Sequence, residues 1–129
     1  MSDSRGTVFF VDDDAAVRQS LKFALELEGL DVRLYDGGPE LLAEPELPPS
    51  GCLVLDYKMP AMDGLEVLAR LRARHVAMPT LLITSHADPA LRDRAAAAGI
   101  RRVVEKPLSD SVLIDSIRDA LGAAERRPT

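Results

Sequence analysis

Tryptophan is absent from this 129-residue chain, cysteine occurs once, and aromatic side chains make up only 4%. A lone thiol excludes an intramolecular disulfide and a cysteine-held metal cluster. Cys52 lies in the apolar run Cys52-Leu53-Val54-Leu55 and reads as a buried thiol in a reducing compartment. No apolar run approaches the ~18 residues of a membrane span, and Met1 to Gly6 lacks the apolar stretch of a signal peptide. A cytoplasmic protein with no membrane partner is expected.

Positive charge is also in deficit: 16 Lys and Arg against 21 Asp and Glu leave a net charge of −5, which argues against direct contact with nucleic acid. The balance is uneven along the chain. Arg70, Arg72, Arg74, Arg92, Arg94, Arg101 and Arg102 outnumber the acids between positions 70 and 102, as a solvated basic face or a docking surface would. With few aromatics, the 47% hydrophobic content must build an aliphatic core, and the length suits one domain.

Short apolar runs alternate with segments of helical period, the mark of β/α units around a parallel sheet buried on both faces. Thr7 to Val11 forms the first strand, and Asp14 caps a helix carrying Val17, Leu21, Ala24 and Leu25 that closes at Gly29. A second strand spans Asp31 to Tyr35, and a weak helix lies around Pro39 to Glu44. The proline-rich stretch 45–50 is a loop, Gly51 to Leu55 the third strand, and Leu65, Leu68 and Leu71 mark a third helix running to about Arg74. Pro79 to Thr84 is the fourth strand. Asp88-Pro89 opens an alanine-rich helix closed by Gly99, a short fifth strand lies within Ile100 to Glu105, and Ser109 caps a last helix. Right-handed crossovers with helices on both faces favour a (βα)5 doubly wound, flavodoxin-like sheet in the order 2-1-3-4-5. Its expected bounds are 7–122, with tails 1–6 and 123–129.

Ligand sites of such sheets lie beyond the carboxyl ends of the strands. There the sequence places Asp12 and Asp13 after strand one, Asp56 after strand three, Thr84 at the end of strand four and Lys106 after strand five. Three converging carboxylates repel one another unless a hard divalent cation with oxygen ligands, Mg²⁺ above all, holds them ionised. Lys106 and Thr84 add one point charge and one hydrogen-bond donor for phosphoryl oxygens. The cluster therefore suits phosphoryl transfer.

The acidic pair, Asp56 followed by Lys58-Met59-Pro60 and Asp63-Gly64, the strand-ending Thr84, and Lys106-Pro107 together resemble the receiver domains of two-component response regulators. Val11-Asp12-Asp13-Asp14, Thr84-Ser85-His86 and Glu105-Lys106-Pro107 are most similar to the nitrogen-fixation-type subfamily. The likeness covers roughly Thr7 to Leu121. It implies that Asp56 takes a phosphoryl group from a sensor histidine kinase or phosphotransfer protein, with Asp13, Asp56 and the main-chain carbonyl of Lys58 on Mg²⁺ and Asp12 acting mainly through water. Lys106 then pairs with a phosphoryl oxygen, and Thr84 moves toward the phosphoryl group. Lys58 and His86 stand where the family tunes hydrolysis of the acyl phosphate. Dimerisation through helix four, strand five and helix five in the phosphorylated state is a further implication.

Val103 departs from the pattern, because the family usually carries an aromatic side chain three residues before the lysine of the Lys-Pro pair. Output is then expected to rely more on the backbone of Ser85 to Asp88 and on helix four.

Simpler readings exist for several of these residues. Asp12, Asp13 and Asp14 could merely cap the first helix, Lys106 could be a surface lysine, Thr84 fits a strand end anyway, and Gly64 suits a turn. His75 reads as a surface residue. The chief rival function is a small Mg²⁺-dependent phosphatase or phosphotransferase with an aspartate nucleophile, and Lys58 stands where such enzymes usually carry a second acid. A nucleotide- or flavin-binding module is weakened by the missing glycine-rich loop after strand one. A self-modifying switch rather than an enzyme is expected, either as a stand-alone receiver or as part of a DNA-binding regulator.

Overall fold

The computed structural model describes residues 6–125. Five parallel strands, β1 (Thr7–Val11), β2 (Asp31–Tyr35), β3 (Cys52–Asp56), β4 (Thr80–Thr84) and β5 (Arg102–Glu105), form one sheet in the order 2-1-3-4-5, as the alternating pattern predicts. The helices are α1 (Ala15–Leu27), α2 (Gly38–Leu42), α3 (Gly64–Ala73), α4 (Pro89–Ala97) and α5 (Asp110–Glu125). The central strands β3 and β4 are buried throughout, which explains their unbroken apolar sequences.

Side chains of a strand alternate between faces, so β1 feeds two cores. Val8 and Phe10 join Val54, Leu81 and Ile83 under α1 and α5, where Leu21, Leu25, Leu113 and Ile117 cover them. Phe9 and Val11 join Leu53, Leu55 and Leu82 under α3 and α4, against Val67, Leu68, Leu71 and Leu91. Helix α4 buries Leu91 and the small Ala95.

Several boundaries shift for identifiable reasons. Strand β5 starts at Arg102, because the Ile100 amide donates to Ala95 O at 2.9 Å and so finishes α4 around Gly99, whose φ is +87°. Pro79 precedes β4, offering its carbonyl to Leu53 N at 2.9 Å. Strand β3 runs one position later than expected and includes Asp56 itself. Helix α2 is a short turn ending before Ala43. The Ser109 hydroxyl lies 3.5 Å from Val112 N, a weak cap, while Asp14 caps α1 firmly through bonds from Ala16 N and Val17 N. Helix α5 continues past residue 122 to Glu125, and residues 1–5 and 126–129 of the expected tails lie outside the described residues.

All of the arginines in the run except Arg72 are exposed, as a solvated face requires, and most of them also hold a neighbouring segment. Arg72 donates to Val76 O and Met78 O, and Arg74 to Leu42 O, Glu44 O and Pro45 O. Arg92 faces Glu105, Arg94 donates to the Tyr57 hydroxyl, Arg101 pairs with Asp119 and Arg102 donates to Ser116 Oγ. Of these, only Arg92 and Arg101 meet an acid among the described residues, so the others keep their charge while tying helices to neighbouring segments.

Candidate functional site

Beyond the carboxyl ends of the strands lies a cleft of about 390 Å³ lined by Asp13, Asp14, Asp56, Lys58, Thr84, Ser85 and Lys106. Strand order creates it, since β1 and β3 are neighbours whose following helices leave to opposite faces of the sheet. The acidic pair divides by depth: Asp13 is exposed at the cleft, whereas Asp12 is fully buried beneath it. The Asp12 main chain bridges β1 to Tyr35 O at 3.1 Å and accepts from Arg18 at 2.7 Å. Its Oδ1 accepts from Asp14 N at 2.9 Å.

Asp56 ends β3 with only 4% of its surface exposed. Lys106 reaches in from the end of β5, its ammonium 3.5 Å from both Asp56 Oδ1 and Asp12 Oδ2. The Lys106 backbone N–H donates to Thr84 O at 2.8 Å, which joins the ends of β4 and β5. The Thr84 hydroxyl donates to His86 O at 3.3 Å and accepts from His86 N at 3.2 Å, so it is engaged by its own loop. His86 itself is exposed, and Ser85 rather than His86 lines the cleft. Val103 is half-buried against the same core cluster as Leu82 and Leu91.

Burial, reinforced by the charge of Asp12 and opposed by that of Lys106, pushes the Asp56 carboxyl up from 3.8 to about 7. For Lys106, burial works against the ammonium, but the attraction of Asp56 and Asp12 outweighs it and the net shift is upward. One lysine thus serves two carboxylates that repel each other.

The residues present fit a divalent cation. Oxygens of Asp12, Asp13 and Asp56 lie within 4.8 Å of one another. Asp12 Oδ2 is buried with no hydrogen-bond partner among the described residues, facing only the more distant ammonium. Such an oxygen-only donor set with unsatisfied charge suits a hard cation, with exposed Asp13 leaving room for water ligands.

The strand-end residues expected from the sequence therefore come together: Asp12, Asp13, Asp56, Thr84 and Lys106, with Lys58 on the cleft wall. Three contacts around the site had no sequence signal. Glu105 Oε2 accepts from Ala87 N at 3.1 Å, Tyr57 accepts from Arg94 at 2.9 Å, and Gly64 N donates to Tyr57 O at 2.9 Å beneath the loop after β3.

The family model described as "Response regulator receiver domain" matches residues 8–118. The transcriptional regulatory protein FixJ of Bradyrhizobium diazoefficiens is 39% identical over 95% of this chain and 60% of its own length. The C4-dicarboxylate transport transcriptional regulatory protein DctR of Rhodobacter capsulatus is 38% identical over 94% of this chain and 62% of its own length. The chain thus spans about three fifths of these curated relatives. The crystal structure of full-length FixJ from B. japonicum superposes with a TM-score of 0.84 at 39% identity, covering 95% of this chain and 61% of that one. Fold, strand-end residues and similarity agree: the chain belongs to the response regulator receiver domain family, on the side of the nitrogen-fixation-type regulators.

Proposed function

We propose that residues 7–122 work as a phosphorylation switch in which Asp56 is the phosphoacceptor. The observation that carries this reading is the placement of Asp56: a nearly buried carboxylate opening onto the cleft, with Asp12 and Asp13 on one side and Lys106 on the other. The donor is a sensor histidine kinase or phosphotransfer protein. A carboxylate oxygen of Asp56 forms the new O–P bond as the P–N bond of the donor phosphohistidine breaks, and the departing imidazole nitrogen takes up a proton.

Asp13, Asp56 and the main-chain carbonyl of Lys58 would hold Mg²⁺, with Asp12 acting mainly through water. When bound, the ion neutralises charge on the phosphoryl oxygens. Lys106 exchanges its contacts with Asp12 and Asp56 for a phosphoryl oxygen. Thr84 has a single O–H to donate, so serving a phosphoryl oxygen requires it to give up His86 O. Lys58, on the cleft wall, and His86, on the adjoining loop, tune the lifetime of the acyl phosphate by shielding or orienting water. Equal lifetimes in Lys58→Ala and His86→Ala and in the unsubstituted protein would remove that role.

Modification changes the output only through a difference in its interactions with two conformers. Since Val103 offers few distinct positions, the change travels through the backbone of Ser85 to Asp88 and through α4. Structures with and without a phosphoryl mimic should differ in that segment, and identity there would refute this route. The phosphorylated protein pairs with a second copy through α4, β5 and α5, and acts in the cytoplasm without contacting nucleic acid through this domain.

Lys58 occupies the place of the second acid that an aspartate-nucleophile phosphatase needs, which supports self-modification rather than turnover of an external substrate. The test is intact-mass analysis after incubation with acetyl phosphate, with and without Mg²⁺, on the unsubstituted protein and Asp56→Asn. One added phosphoryl group that requires both Mg²⁺ and Asp56 is expected. Labelling of the Asn variant would refute the assignment.

A further inference from the structure

Glu105 ends β5, immediately before Lys106, and its carboxylate reaches away from the cleft. Oε2 accepts from Ala87 N at 3.1 Å, inside the loop between Thr84 and the α4 N-cap Asp88, and Oε1 lies 3.8 Å from Arg92 of α4. One side chain therefore grips both the loop after β4 and the helix that follows it. In the same loop the Thr84 hydroxyl is engaged by His86, and Thr84 O accepts from Lys106 N. The apolar side chains that α4 buries are Leu91 and Ala95.

We propose that Glu105 is a positioning residue, a latch that holds the β4–α4 loop and α4 in the conformer in which the Thr84 hydroxyl is turned to His86. The inference rests on the reading of Asp56 as phosphoacceptor and Thr84 as the group that follows the phosphoryl. Thr84 can serve a phosphoryl oxygen only by giving up its bond to His86 O, and in the latch reading Ser85 to Ala87 rearrange with it. The Ala87–Glu105 bond lies in that segment, so it stabilises the resting conformer and not the other. A contact present in one of two conformers sets their ratio, and a ligand that needs the minor conformer binds more weakly by that fraction. The latch sets the threshold for activation through an exposed carboxylate beside the lysine that pairs with the phosphoryl group.

The test is the affinity for beryllofluoride in saturating Mg²⁺, together with hydrogen exchange of the Ala87 amide in the metal-free protein. Glu105→Ala should tighten beryllofluoride binding by about fivefold and speed Ala87 exchange. Glu105→Gln keeps an acceptor for Ala87 and should fall between. Arg92→Ala discriminates most sharply. Loss of a nearby positive charge weakens anion binding by electrostatics alone, whereas loosening the latch tightens it, and tightening is expected. Asp119→Asn, which removes only the acidic charge of the Arg101–Asp119 pair beyond β5, should leave affinity unchanged. Equal tightening by the Ala and Gln variants, weaker binding by Arg92→Ala, or unchanged Ala87 exchange would each overturn the latch. Failure of the unsubstituted protein to bind beryllofluoride would instead refute the phosphoacceptor reading, and Ala87 exchange alone would then decide the latch.

Discussion

A methyl group placed on Gly64 would lie 2.7 Å from the main-chain oxygen of Asp56 and 2.9 Å from Leu82 Cδ1. The first residue of α3 is thus pressed against the backbone of the candidate phosphoacceptor, and the helix can approach this closely only without a Cβ. Helix propensity favours alanine at such a position, so the steric contact decides the sign. Gly64→Ala should lower stability by about 1–3 kcal/mol, read as a reduced urea midpoint, and should slow labelling of Asp56. An unchanged or higher midpoint would show that the two segments separate without cost.

The Asp56 carboxyl is protonated more readily in the folded protein than in the unfolded chain, at about 7 against 3.8. Between these values the folded state binds the extra proton, so the group's contribution to metal-free stability falls as pH rises from about 4 to about 7. Asp56→Asn removes that penalty. Its advantage over the unsubstituted protein should grow across this window by at most roughly 4 kcal/mol, measured as urea midpoints in chelator at a series of pH values. A difference that stays constant with pH would contradict the perturbed carboxyl.

Mg²⁺ at ten times its dissociation constant should stabilise the protein by about 1.4 kcal/mol and flatten the pH dependence just described. Asp13→Ala should lose this response. Asp14→Ala should instead lower stability by about 1 kcal/mol through loss of the α1 cap while keeping the response, because Asp14 Oδ1 is committed to Ala16 N and Val17 N. Thermal melts of both variants with and without Mg²⁺ separate capping from ligation, and an intact response in Asp13→Ala would refute its place in the metal site.

Lys106→Met leaves the buried Asp12 and Asp56 without their shared ammonium. At pH 8 and without metal, the destabilisation should reach roughly 2 kcal/mol, less than for a fully buried pair since the lysine keeps partial contact with water. Near pH 5 the loss should shrink, as Asp56 takes up a proton. Equal losses at the two pH values would indicate that Lys106 contributes packing rather than charge.

The residues of the site were legible because each stands where an apolar strand stops. Asp12, Asp56, Thr84 and Lys106 could be placed on one crevice as soon as the strand order was inferred, and the structure brings them there. The contacts of α4 were not legible. Arg94 donates to the Tyr57 hydroxyl with its guanidinium 5.9 Å from the ring centre, and Arg92 faces Glu105, yet in the sequence both arginines belonged to an apparently basic stretch. Likewise Ser85, not His86, turned out to line the cleft, since loop direction depends on the bonds between Thr84 and His86 rather than on residue type.

The sequence by itself determined the sheet, its order and the acids at the carboxyl ends of its strands, because a strand buried on both faces needs an unbroken apolar run and ends where charge begins. Tertiary structure alone decided which of two adjacent aspartates is buried, how far Asp56 is pushed toward neutrality, and which segment each arginine holds. Those properties depend on water removed and charges approached by segments distant along the chain, and local sequence carries no record of either.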